Sequence, residues 1–217
     1  MLLALLLAAA PPDYETVKSD LALLRERTAL RYAKASSIAK KAVVLAETRG
    51  ALLTAFDDQL FPAWAGTPWD FYGTTEVPRD GKIACGYFVS TLMLHAGFKV
   101  PRVKMAQQAS EYIVRSLAEP EETLRLHDLE RAAVIDRVRA RLGEGLFVVG
   151  MDYHVGFLRL TARDAQLCHA AFFEPTAMLC EPAATSQGFS SGYHVIGKLF
   201  ADVQLRAWLE GKEIALR

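Results

Sequence analysis

The sequence predicts an α+β fold, with N-terminal helices packed on a small antiparallel β-sheet. Three observations carry that expectation. Residues 13–57 are rich in Ala, Leu, Lys, Arg and Glu, with apolar positions three and four apart, which is a helical pattern. From Gly143 onward the chain breaks into short β-rich runs separated by turns. The helices precede the strands instead of alternating with them, so the class is α+β and not a parallel βαβ array.

The elements follow in chain order. "MLLALLLAAA" is a short apolar run ending in small residues before Pro11 and Pro12. It reads as a secretory signal over residues 1–12, which predicts an extracytoplasmic protein, periplasmic or secreted. If instead it begins a buried helix, the protein stays in the cytoplasm. No segment is apolar enough over sufficient length to span a bilayer. The helical segment 13–60 starts at Asp13, a capping residue, and Gly50 is expected to break it. Residues 61–82, "FPAWAGTPWDFYGTTEVPRDGK", hold too many Pro and Gly residues for a long regular element. Trp64, Trp69, Phe71 and Tyr72 crowd into that stretch, where they either plug a core edge or wall a groove.

Residues 85–97 predict a helix with a stripe of Phe88, Val89, Leu92, Met93 and Ala96, stopped by Gly97. Residues 104–118 and 121–142 read as further helix, the second highly charged and solvated. Strands are expected at 145–151, 153–161, 165–175, 177–182 and 192–200, with a closing helix after them. The domain reading is therefore a segment 13–60 followed by a domain 61–217 carrying a helical insertion at about 104–142.

Composition bounds the function. The chain has 217 residues, 52% of them hydrophobic, enough for one domain with a substantial core. Lys and Arg total 25 and Asp and Glu total 25, so no net basic field attracts nucleic acid or an anionic surface. No phosphate-binding loop, dinucleotide fingerprint or zinc-finger spacing is present, and no cofactor is expected. There are three cysteines. Cys168 and Cys180 lie on neighbouring predicted strands, where they either pair in an oxidising compartment or serve as two small buried hydrophobes.

Cys85 is different, because it opens a helix. Unpaired N–H groups of a first turn lower a thiol's pKa and can hold an oxyanion. Gly81 lets the chain turn sharply into that helix, and Gly86 leaves space for a substrate carbonyl. A base is needed as well. His95 lies ten residues along the same helix, about 15 Å away, and is too far. His127 falls in the charged, solvated segment. His154 and His169 each interrupt an apolar strand. If those strands pair, one imidazole can take the thiol proton and the other can fix its tautomer. A hydrogen-bonded core histidine is the plainer reading of either one alone. His194 follows "SQGFSSG" and is expected at the groove rim, in a structural or substrate-side role.

"ACGYFVSTLMLHAGF", "GLFVVGMDYHVGFLRL" and "LCHAAF" together resemble the NlpC-type cell-wall peptidases of the papain-like superfamily. The resemblance implies a papain-like fold over roughly residues 61–217, with Cys85 as nucleophile, His154 as base and His169 as its orienter. It also implies that Tyr72 reaches the site; on that reading the aromatic stretch 64–72, with Trp69, walls the groove. The chain departs from the pattern at Ala84, where the family has Asp, and at Gly86, where it has Ser. The implied protein is an exported hydrolase, most simply a monomer. It would cleave an amide bond in peptidoglycan stem peptides or a related peptide, without metal. Acyl transfer or lipid deacylation on the same scaffold, zinc held by Cys85, His154 and His169, and a binding module that has lost turnover are the rivals.

Overall fold

The structure is a computed structural model that describes residues 13–217. The predicted signal segment lies outside the described residues.

Two long helices open the chain, α1 (Tyr14–Lys34) and α2 (Ile38–Ala55). The break between them falls at Ala35–Ser37, and Gly50 sits inside α2. Ser37 explains the position: its hydroxyl accepts the Lys40 N–H and starts a new helix. Gly50 is tolerated because it is exposed, at a cost of about 1 kcal/mol relative to Ala. Asp13 occupies the cap position of α1, but its carbonyl, not its side chain, bonds the first turn. A π-helical turn at Phe56–Leu60 and α3 (Phe61–Trp64) lead into the aromatic loop.

The next helix, α4 (Cys85–His95), begins at Cys85 and is followed by α5 (Arg102–Ala106) and α6 (Ser110–Leu117). The segment expected as one charged helix over 121–142 contains a strand, β1 (Thr123–His127), before α7 (Arg131–Leu142). β1 exists because it pairs antiparallel with a strand seventy residues later, a contact that local periodicity does not register. The remaining strands are β2 (Gly145–Met151), β3 (Val155–Leu160), β4 (Ala165–Ala170), β5 (Met178–Pro182) and β6 (Tyr193–Lys198), and α8 (Asp202–Glu210) closes the chain. The sheet order is β1-β6-β2-β3-β4-β5, with every pair antiparallel.

Both faces of the sheet are covered. Leu146, Val148, Val155, Phe157 and Val195 face a core shared with α1, α2, α4, α6 and α8. Phe147, Val149, Leu158, Leu160 and Ile196 face α7, which supplies Val134, Ile135, Val138 and Leu142. Central strand β2 is buried at every position, which explains its uninterrupted apolar sequence. Val17, Leu21, Leu45 and Leu52 join the same core as the sheet, so segment 13–60 is packed into the body of the protein. No described helix is long and apolar enough to cross a membrane.

Candidate active site

Cys85 is the first residue of α4 and the free cysteine of the chain. Extended backbone at Ala84 carries the chain into the helix. The Ala84 N–H donates to the Gly73 carbonyl at 2.9 Å, and Phe88 N–H closes the first turn onto the Ala84 carbonyl at 2.8 Å. The amides of Cys85 and Gly86 lie ahead of that first bond and point toward the sulfur, as does the Val155 N–H at the start of β3. Burial nevertheless outweighs these three donors and pushes the Cys85 thiol up from its ordinary pKa.

Gly86 has a second reason to be glycine. A Cβ there would lie 2.3 Å from the Ala106 carbonyl at the end of α5. The space expected for a substrate carbonyl beside the Gly86 α-carbon is thus filled by protein, while Gly86 itself lines the neighbouring cavity. That cavity has a volume of about 250 Å³. Its walls are Cys85 and Gly86, the α5–α6 connection with Ser110, and residues 152–155, including His154. Ser110 Oγ donates to the Met151 carbonyl at 2.9 Å and fastens α6 to the end of β2.

His154 and His169 are brought together as the sequence suggested. His154 Nε2 lies 2.7 Å from His169 Nδ1, with the rings edge-on. Two glycines make this possible. A Cβ at Gly156 would come within 2.9 Å of His169 Cβ, and one at Gly188 within 2.6 Å of His169 Cε1. The Gly of the "HVG" motif therefore clears room for the second histidine. His154 Nδ1 is buried and has no hydrogen-bond partner among the described residues. Burial and the neighbouring His169 lower the His154 pKa to about 3, so its imidazole is neutral at pH 7.

Behind His169 stands a carboxylate that sequence reasoning did not single out. Glu181 Oε1 lies 3.2 Å from His169 Nε2, and Ser186 Oγ donates to the same oxygen at 2.5 Å. Only β4–β5 pairing places Glu181 there. A disulfide between Cys168 and Cys180, opposite each other in that register, ties the two strands beside both residues. The sequence left this pairing open, and the structure forms it.

The remaining expected residues sit differently. His194 is fully buried on β6, with Nε2 at 3.0 Å from the Phe189 carbonyl and Phe189 packed on its ring. It belongs to the interior and not to the groove rim, because the loop before it folds back over the sheet. Tyr72 is 84% exposed and lies next to Gly73, the residue bonded to Ala84. It flanks the entrance to α4 but does not line the cavity. Trp69 reaches the site indirectly: its ring packs on Phe172 at 6.1 Å, and Phe172 packs on His154 at 5.4 Å. His127 is exposed on β1. Among the described residues, no three His, Cys, Asp or Glu side chains converge as ligands for a metal ion.

Chemically, the arrangement presents a thiol at a helix N-terminus, first-turn amides beside it, and a neutral imidazole whose Nδ1 is unengaged, on a residue that lines the same small cavity. Compared with known proteins, the chain matches no family model, no curated protein and no solved structure.

Proposed function

We propose that this protein is an exported cysteine hydrolase that cleaves an amide bond, in peptidoglycan stem peptides or a related peptide. The observation that carries the reading is the buried line of His154, His169 and Glu181, which ends in an unengaged nitrogen of His154, a residue that lines one cavity with Cys85. His194 also leaves its Nδ1 without a partner among the described residues, but it lies away from this cavity, whereas His154 lines it together with Cys85. A helix-borne cysteine packed against a sheet that carries two histidines is also the layout of the papain-like peptidases.

The chemistry follows from the resting protonation states. Burial holds the thiol and the imidazole neutral, so His154 acts as a general base during attack and not as a preformed imidazolium. Cys85 Sγ bonds to the substrate carbonyl carbon as its proton passes to His154 Nδ1. The amides of Cys85 and Gly86 hold the oxyanion. The C–N bond then breaks, and the amine leaves with the proton from His154. Water, deprotonated by His154, attacks the thioester and releases the acid, and the thiol recovers its proton. The exposed Tyr153 lines this cavity as a substrate-facing group. The disulfide supports an oxidising compartment, and so export.

The test is cleavage of purified muropeptides by the wild type and by Cys85→Ala. The variant is expected to lose turnover completely, and unchanged cleavage would sink the nucleophile assignment. Iodoacetamide separates the enzyme from a binding module that keeps only the fold. A Cys85 alkylated no faster than free cysteine, together with no muropeptide cleavage, would favour the module.

A further inference from the structure

Two donors converge on one carboxylate oxygen behind the histidine pair. Ser186 Oγ accepts the Phe189 N–H at 3.2 Å, so its own hydrogen is free to point at Glu181 Oε1, 2.5 Å away. Oε1 is then an acceptor, and it has a second neighbour, His169 Nε2, at 3.2 Å. An acceptor facing a ring nitrogen at that distance requires the nitrogen to carry hydrogen. A neutral His169 with hydrogen on Nε2 has a bare Nδ1. Nδ1 lies 2.7 Å from His154 Nε2, which must therefore be the donor. A neutral His154 with hydrogen on Nε2 has its lone pair on Nδ1, the nitrogen left without a partner.

We propose that Glu181 is a positioning residue that sets the tautomers of both histidines in series, so that His154 presents an unprotonated Nδ1 to the Cys85 cavity. The inference rests on the hydrolase reading for its consequence, but not for its geometry. His169 is completely buried and has no water-facing alternative for its Nε2 hydrogen. Without the carboxylate, either ring could donate to the other, and half of those arrangements would put hydrogen on His154 Nδ1. Glu181 also places negative charge at the far end of the pair, where it favours the positive charge that His154 acquires during attack. The charged and titratable groups around His169 are His154, Glu181 and, through its 3.0 Å bond to the Ser186 carbonyl, Arg131.

Glu181 was absent from the expected site because nothing near it in sequence marks it. It sits on edge strand β5, half-buried, and meets His169 only through strand pairing and the loop that carries Ser186 and Gly188.

The test uses the full chain with histidine labelled by ¹⁵N, and reads the ring nitrogens by NMR. In the wild type both His154 and His169 are expected as Nε2–H tautomers. Glu181→Gln keeps an acceptor oxygen and should preserve both tautomers. Glu181→Leu should mix them. Cys85 is the free thiol, so its iodoacetamide rate is a second readout. It should fall by about 10-fold in Glu181→Leu and by less in Glu181→Gln. A wild-type His154 carrying hydrogen on Nδ1 overturns the proposal, even if neither variant folds. So does a folded Glu181→Leu with wild-type tautomers and wild-type alkylation. Equal loss of melting temperature in both variants with no tautomer change also overturns it, because that outcome marks a purely structural carboxylate. The expected tautomers in a protein that cleaves no muropeptide would instead refute the hydrolase reading and leave the role of Glu181 standing.

Discussion

Helix α4 has a buried polar cluster at each end, and the two clusters differ in one respect. At its C-terminal end, Trp64 Nε1–H donates to the Tyr14 hydroxyl at 2.6 Å, and the Tyr14 hydroxyl lies 2.9 Å from His95 Nδ1. The three rings pack edge-on or tilted around those bonds. The polar atoms that face one another there are paired, and the cluster ties α1 to α3 and α4. At the N-terminal end, the His154–His169–Glu181 line is paired along its length but stops at a bare nitrogen of His154, a residue that lines a cavity. A buried polar atom without a partner costs about 1–3 kcal/mol. Trp69 Nε1, Arg139 Nε and His194 Nδ1 are also unpartnered among the described residues, and His154 differs from them in lining the cavity that Cys85 lines. The closed cluster reads as structure and the open one as function, although both contain a buried histidine with a depressed pKa.

The sharpest way to break this comparison is to remove the proposed base. His154→Ala should lower the alkylation rate of Cys85, and any muropeptide turnover, by about 10²-fold or more. Stopped alkylation time courses at pH 7 read this directly. An unchanged rate would make the open end as structural as the closed one. At the other end, Tyr14→Phe leaves the Trp64 Nε1–H and His95 Nδ1 without their shared partner. It should cost about 1–3 kcal/mol of stability by urea unfolding while leaving Cys85 reactivity as in the wild type. A loss of reactivity there would mean that the two ends are coupled through α4.

A further effect is shared by both ends. Burial lowers the pKa of His95 to about 4 and of His154 to about 3, from an ordinary 6.5, and lowers those of His169 and His194 as well. Each imidazole takes up its proton more readily in the unfolded chain. Stability therefore rises with pH up to about 6.5, and is lost as pH falls from there toward about 4 for His95 and about 3 for His154. The slope is about 1.4 kcal/mol per pH unit for each group. Urea midpoints between pH 7 and pH 5 measure it, and a flat profile would mean that these rings are not held neutral by burial.

Much of the candidate site was legible in the sequence because it rests on local rules. Gly81 adopts the left-handed conformation that the turn into α4 needs, Cys85 opens the helix, and Gly97 ends it with positive φ. His154 and His169 stood out because each interrupts an apolar run, and short connections make neighbouring strands pair. Their meeting is a consequence of that hairpin. The α+β class followed from the order of patterns along the chain.

What needed tertiary structure was everything set by distant pairing. β1 looked helical because its residues are charged and mixed, and its state is decided by β6. Helix α7 looked merely solvated, yet its Val134, Ile135, Val138 and Leu142 cover the second face of the sheet, which exists only once the sheet has formed. His194 looked like a rim residue, and the fold buried it. Glu181 was one exposed-looking acid among 25 acidic residues, until strand register placed its oxygen against His169. The sequence alone determined where the thiol and the imidazoles lie along the chain, because turns, caps and periodicity act over a few residues. Only the tertiary structure decided which nitrogen is left bare, because that depends on a hydrogen-bond chain joining two strands and two loops.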